Sequence, residues 1–127
     1  MTIQTKHVLV VDDDELARME IARCVEQQGY SATVAENGTI ALDMLGSQPF
    51  DLVLLDLLMP EVDGFEVLRQ MQADAKLQQI PVVVVTAVGD SERVAKCMQM
   101  GAIDQLNKPV DTILLSKRLD SILTRAS

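Results

Sequence analysis

The chain has 127 residues, which suits one domain with a single sizeable core, and its 2% aromatic content means that this core must be aliphatic. Nineteen Asp and Glu against eleven Lys and Arg give a net charge of −8, which excludes a nucleic-acid surface of clustered cations and an anionic membrane surface. The longest apolar runs, around Val53 and Val84, are far too short to span a bilayer, and Thr2 to Lys6 leads into no signal-peptide core, so a cytoplasmic location is expected.

Apolar runs alternate with helical patterns along the whole chain, the signature of an α/β fold with a parallel sheet. Val8 to Val11 is a continuous aliphatic run, as expected of a strand buried on both faces. The segment from Glu15 to Gln28 places Ala17, Ile21, Cys24, Val25 and Gln28 at helical spacing, with Gly29 as its stop. Tyr30 to Ala35 reads as a second, more exposed strand, and Asn37-Gly38 as a turn. Thr39 is expected to cap a short helix carrying Ile40, Leu42, Met44 and Leu45. Leu52 to Leu55 is the third strand, and Gly64 precedes a helix with Phe65, Val67, Leu68 and Met71. Val82 to Val85 is the fourth strand; Asp90 or Ser91 caps a helix carrying Val94, Ala95 and Met98, ended by Gly101. Ile103 to Leu106 is a short fifth strand, and Asp111 caps a last helix with Leu114, Leu115, Leu119, Ile122 and Leu123. The chain runs to Ser127 without room for an output domain, so it reads equally as a stand-alone unit or as a piece of a longer regulator.

Cys24 and Cys97 lie far apart without a CxxC pattern and read as two free thiols, and His7 as an ordinary residue just before a strand.

Four of the apolar runs end in a reactive polar group. The first runs into Asp12-Asp13-Asp14, the third into Asp56, the fourth into Thr86 and the fifth into Lys108-Pro109. In a parallel sheet these residues emerge at one edge, where ligands bind. Asp14 reads as a helix cap, complementary to the helix dipole. Asp12, Asp13 and Asp56 sit directly on buried strand ends. If the first and third strands are neighbours, each pair of carboxylates at ~5 Å and an effective dielectric of ~20 repels by roughly 3 kcal/mol. Such a cluster needs protons or a cation, and a hard divalent ion such as Mg²⁺ fits few carboxylates plus waters. Lys108 and Thr86 would each be unremarkable alone; beside Asp56 they supply a positive charge and a hydroxyl for a phosphoryl group.

The stretches VLVVDDDELAR, DLVLLDLLMPEVDG, VVVVTA and GAIDQLNKP resemble, in order and spacing, the receiver domain of two-component response regulators over nearly the whole chain, residues 1–127. The resemblance implies a (βα)5 flavodoxin-like fold, a doubly wound parallel five-stranded sheet in the order 2-1-3-4-5. It implies phosphorylation of Asp56 by a histidine kinase or phosphotransfer protein, followed by a conformational switch that regulates an output domain or effector. It gives Asp13 and Asp56 as Mg²⁺ ligands, Asp12 acting mainly through water, the backbone carbonyl of Leu58 as a further ligand, and Thr86 and Lys108 as contacts of the phosphoryl group. Pro109 would follow a cis peptide bond, and Met59-Pro60 and Asp63-Gly64 match the turn after the acceptor strand. Movement of Thr86 would shift residues 87–90. Asp104 and Arg118 match positions that pair between subunits when receivers dimerise on phosphorylation through the fourth helix, fifth strand and fifth helix. The domain would not be an enzyme beyond its own dephosphorylation, for which the apolar Leu58 and Val88 imply a slow rate.

One position departs from the family pattern: Gln105 stands where a Tyr or Phe usually couples the site to the fourth and fifth helices. Other readings are a small Mg²⁺-dependent aspartyl phosphatase, although Leu16 stands where Thr or Val is expected; a flavodoxin, whose phosphate Asp12 and Asp13 would repel; and a pseudo-receiver that is never phosphorylated, although no acid or lysine is lost.

Overall fold

A computed structural model describes residues 5–57, 63–87 and 91–124. Its elements are β1 (His7–Val11), α1 (Glu15–Gln27), β2 (Ser31–Ala35), α2 (Gly38–Ser47), β3 (Leu52–Asp56), α3 (Gly64–Gln72), a 3₁₀ turn (Leu77–Gln79), β4 (Val82–Ala87), α4 (Ser91–Gln99), β5 (Asp104–Lys108) and α5 (Thr112–Thr124). The five strands pair in parallel in the order β2-β1-β3-β4-β5. This is the flavodoxin-like order expected of the resemblance, with β1 and β3 adjacent.

Every residue of β3 is buried, as are the first five of β4, because helices cover both faces of the sheet. Alternate strand residues feed two cores. Val8, Val10, Leu52, Leu54, Val83 and Val85 pack with Ile21, Val25, Leu115 and Leu119 of α1 and α5. Leu9, Val11, Val53, Leu55, Val82 and Val84 pack with Leu45, Val67, Leu68 and Met71 of α2 and α3. Cys24 belongs to the first core and Cys97 to the second, so the sheet separates the two cysteines, which form no disulfide with each other.

Several local expectations shift. Asn37, not Thr39, caps α2, its side-chain oxygen accepting from Ile40 N at 2.8 Å; Thr39 is already helical and exposed. His7 opens β1 instead of preceding it, and Gly64 is the first residue of α3, capped by Asp63. On α4 only Cys97 is buried, whereas Met98 is 41% exposed. On α5, Leu114 faces outward, and the core contact passes to Leu115, Leu119 and Leu123. Gly29 adopts φ +90, the left-handed stop expected of it.

Candidate functional site

The parallel register brings four strand ends to one edge of the sheet. β1 ends at Val11, paired with Leu55, and β3 ends at Asp56, paired with Val85. Thr86 and Ala87 then stand beside Asn107 and Lys108 of β5. Asp12, Asp56 and Thr86 are the buried polar or charged residues among those described, at 1%, 4% and 2% exposure.

Local chemistry fixes the acid loop. The backbone N–H of Asp12 donates to Ala35 O at 3.1 Å, and its carboxylate Oδ1 accepts from Asp14 N at 2.9 Å. Arg18, one turn into α1, donates from Nη1 to Asp12 O at 2.9 Å. Asp14 caps α1, accepting from Leu16 N. That is the role expected of it, and it leaves Asp12 and Asp13 to face Asp56. Oxygens of Asp12, Asp13 and Asp56 lie within 4.8 Å of one another, Asp13 being exposed.

On the Asp56 side, Gly64 allows the close approach of α3. A Cβ there would collide with the backbone oxygen of Asp56 and lie 2.8 Å from Leu57 Cα. The N–H of Gly64 donates to Leu57 O at 3.2 Å, which closes the turn onto the strand end.

Lys108 reaches in from β5, its Nζ 2.9 Å from Asp12 Oδ2 and 3.2 Å from Asp56 Oδ2. Burial pulls the ammonium's pKa down, but Asp12 and Asp56 outweigh it, so the group is held above its ordinary value and stays charged. The contact with Asp56 is a hydrogen bond. Asp12 Oδ2 is buried, and its contact is the Lys108 ammonium at 2.9 Å. Three carboxylates and one ammonium leave two net negative charges, the deficit that one divalent cation cancels. That deficit, in an all-carboxylate donor set whose oxygens lie within 4.8 Å of one another, fits a hard oxygen-seeking ion.

The structure therefore brings together Asp12, Asp13, Asp56 and Lys108, and places Thr86 at the adjoining strand end. The Lys108–Pro109 peptide is cis. Leu58, Met59, Pro60, Val88 and Asp90 lie outside the described residues. Asp104 and Arg118 are paired within the chain, Arg118 Nε 2.9 Å from Asp104 Oδ2. Gln105 is exposed, beside a cleft of about 290 Å³ that reaches Thr86. Arg18 is the contributor that sequence reasoning missed. Nothing in the chain signals that a residue six positions past Asp12 returns to its carbonyl.

The model of the response regulator receiver domain matches residues 8–120. The chain is 35% identical to the two-component response regulator ORR11 of Oryza sativa subsp. indica, over 92% of this chain and 80% of that protein. It is 40% identical to the response regulator MprA of Mycobacterium sp. (strain KMS), over 94% of this chain but about half (51%) of MprA. Among solved structures, the receiver domain of Francisella response regulator 1452 superposes with a TM-score of 0.87 at 28% identity, covering 97% of this chain and all of that one (100%). A putative response regulator from Chloroflexus aurantiacus J-10-fl gives 0.90 at 26%, covering 95% and 99%. Neither the phosphatase nor the flavodoxin reading is favoured by these likenesses, and the chain belongs to the receiver domain family of two-component response regulators.

Proposed function

We propose that residues 1–127 act as one receiver unit in which Asp56 accepts a phosphoryl group from a histidine kinase or phosphotransfer protein. An Asp56 oxygen forms the new O–P bond as the donor's N–P bond breaks. The carrying observation is the placement of Asp56: buried, hydrogen-bonded at 3.2 Å to a charged Lys108, and within reach of two further carboxylates. A carboxylate approaches an anionic phosphoryl group only where charge is screened, and catalysis of this kind is positioning plus electrostatics. Lys108 pairs with the incoming phosphoryl oxygens, Thr86 donates its hydroxyl to one of them, and Arg18 with Ala35 O keeps Asp12 in place. Mg²⁺, held by Asp13, Asp56 and the Leu58 carbonyl with Asp12 acting mainly through water, would supply charge neutralisation. The domain turns over nothing beyond its own phosphoryl group.

Phosphorylation then acts as a local charge event that biases a two-state element. The readout surface in this reading is α4, β5 and α5, which meets an output domain, an effector or a second phosphorylated copy. Homodimerisation there would exchange the two internal Asp104–Arg118 pairs, one per protomer, for two shared ones, a swap between ion pairs worth ~0–1 kcal/mol each. Among the described residues no helix is long and apolar enough to cross a membrane, in keeping with a cytoplasmic partner.

Acetyl phosphate with Mg²⁺ should add one phosphate to the protein by intact mass, and Asp56→Asn should abolish the addition. Full labelling of that variant would place the acceptor elsewhere. Asp13→Ala should weaken Mg²⁺ binding far more than Asp14→Ala, because Asp14 is spent on the helix cap; equal losses in a titration would contradict the ligand assignment.

A further inference from the structure

Asp13 is the exposed member of the carboxylate cluster, and its side chain has no hydrogen bond or ion pair among the described residues. A ligand that nothing grips directly takes its direction from the backbone on either side of it. Both neighbours are held. Asp12 donates its N–H to Ala35 O and accepts from Asp14 N at Oδ1, and the Asp14 carbonyl accepts from Arg18 N at 2.9 Å. The Asp12 carbonyl is held by a side chain from outside the loop, Arg18 Nη1 donating to it at 2.9 Å. That carbonyl lies in the same rigid peptide plane as the N–H of Asp13. Fixing one therefore fixes the direction in which the chain enters Asp13.

Charge alone does not account for Arg18. It stands one turn into α1, near the positive end of the helix, where a cation is disfavoured. The adjoining loop carries three carboxylates, yet the half-buried guanidinium forms no ion pair among the described residues and donates to a carbonyl instead. That choice leaves the Asp13 carboxylate open to a ligand. A planar guanidinium suits the task, because its donors point in fixed directions.

We propose, resting on the Mg²⁺ assignment made above, that Arg18 is a positioning residue for Asp13, acting through the Asp12–Asp13 peptide. The two effects of this side chain on a bound dication have opposite signs. Its charge repels the cation, so removing charge alone would tighten Mg²⁺ binding. Its hydrogen bond orients the ligand, so removing the bond loosens it. Groups that orient metal ligands in this way are typically worth 10–100-fold in affinity, whereas a partly solvated charge is screened, so the loss of orientation dominates.

The experiment is an Mg²⁺ titration of the unphosphorylated chain followed by amide chemical shifts, whose spectra also show that each variant is folded. Arg18→Met should weaken Mg²⁺ binding about 10–100-fold. Arg18→Gln, polar but too short to reach the carbonyl, should weaken it in the same way. Arg23→Met removes the same charge from an exposed position on the same helix and should leave the affinity at or above the parent's. Asp13→Ala should cost much less in the Arg18→Met background than in the parent, because both changes act on one ligand. Arg18→Met binding as tightly as the parent or tighter, an equal loss in Arg23→Met, or additive effects of Arg18→Met and Asp13→Ala each overturns the proposal and leaves the Mg²⁺ assignment standing. A parent chain that binds no Mg²⁺, or whose binding is indifferent to Asp13→Ala, overturns that assignment and the proposal with it.

Discussion

α3 and α4 are nine residues each, lie on the same face of the sheet, and follow the two strands whose ends carry Asp56 and Thr86. α3 buries Gly64, Val67, Leu68 and Met71 and touches the Asp56 backbone through Gly64. α4 buries Cys97 and is tied to α3 by Lys96, whose Nζ lies 4.9 Å from the Phe65 ring centre. The difference is one of sequence. α3 sets Val67, Leu68 and Met71 on one face at helical spacing. The matching α4 residues are Arg93, Val94 and Cys97, of which Arg93 is exposed and Val94 only half-buried, and Met98 falls outside that face. The chemistry thus sits on a fully buried strand beside the α-helix with the most buried residues, and the helix that follows Thr86 is the one with the fewest. A receiver needs both. The reacting carboxylate must not wander, whereas segments that move in switching are drawn from the low-stability end of a structure.

The contrast breaks first under truncation. Leu68→Ala should cost about 2–5 kcal/mol in urea unfolding, as a fully buried leucine does, and Met98→Ala should stay within about 0.5 kcal/mol. Comparable losses would mean that α4 is held as firmly as α3.

A pair of glycines sharpens the comparison at the strand end. Gly64→Ala introduces a Cβ that collides with Asp56 O, so α3 must retreat from the strand, at a cost of about 1–3 kcal/mol. Gly46→Ala, in α2, meets nothing within 4 Å and should instead stabilise by about 0.5–1 kcal/mol through helix propensity. Opposite signs for one chemical change would isolate the close approach as the cause; equal signs would refute it. Hydrogen exchange should then find the interior amides of α4 opening at least ~10-fold more readily than those of α3, a difference of about 1.4 kcal/mol.

The same contrast marks what could be read from the chain. Strands buried on both faces announce themselves as aliphatic runs, so β1, β3 and β4 and the polar residues at their ends were legible, and with them Asp12, Asp13, Asp56 and Thr86; Lys108 ends the mostly exposed β5 and was legible only from its place before Pro109 in the motif. Helix faces were less so. Val94, Ala95 and Met98 have a helical pattern, but a pattern carries no information on whether a partner surface lies opposite, and Met98 and Leu114 stay at the surface. Caps depend on one dihedral, so Asn37 displaced Thr39. The Arg18 clamp joins residues that come together only once the acid loop has folded, and the Gly64 contact only once α3 lies on β3.

The other face of the sheet supplies the smallest effect and a control. Tyr30, just before β2, donates its hydroxyl to Asp120 Oδ1 at 2.7 Å and so ties α5 to the α1–β2 corner. Burial, the hydrogen bond to Asp120 and that carboxylate's charge together push the phenol from 10.0 up to about 12. The neutral phenol is favoured in the folded chain, so the tie contributes fully below pH 10.0. Between pH 10.0 and about 12 the unfolded chain releases the proton first, and the contribution declines as pH rises. The chain has one tyrosine and no tryptophan, so phenolate absorbance reads this group alone. Its midpoint should lie well above 10.0 in the folded protein and return toward it in Asp120→Asn, where the acceptor loses its charge. Solvent screening keeps the energetic share to ~1 kcal/mol or less, so Tyr30→Phe should flatten the decline in that window by no more than this. The exchange ratio of α4 to α3 should not change in Tyr30→Phe, because the tie bears on α5 from the opposite side of the sheet. A changed ratio would mean that α4 is governed from across the sheet, and its looseness would no longer follow from its own few buried residues.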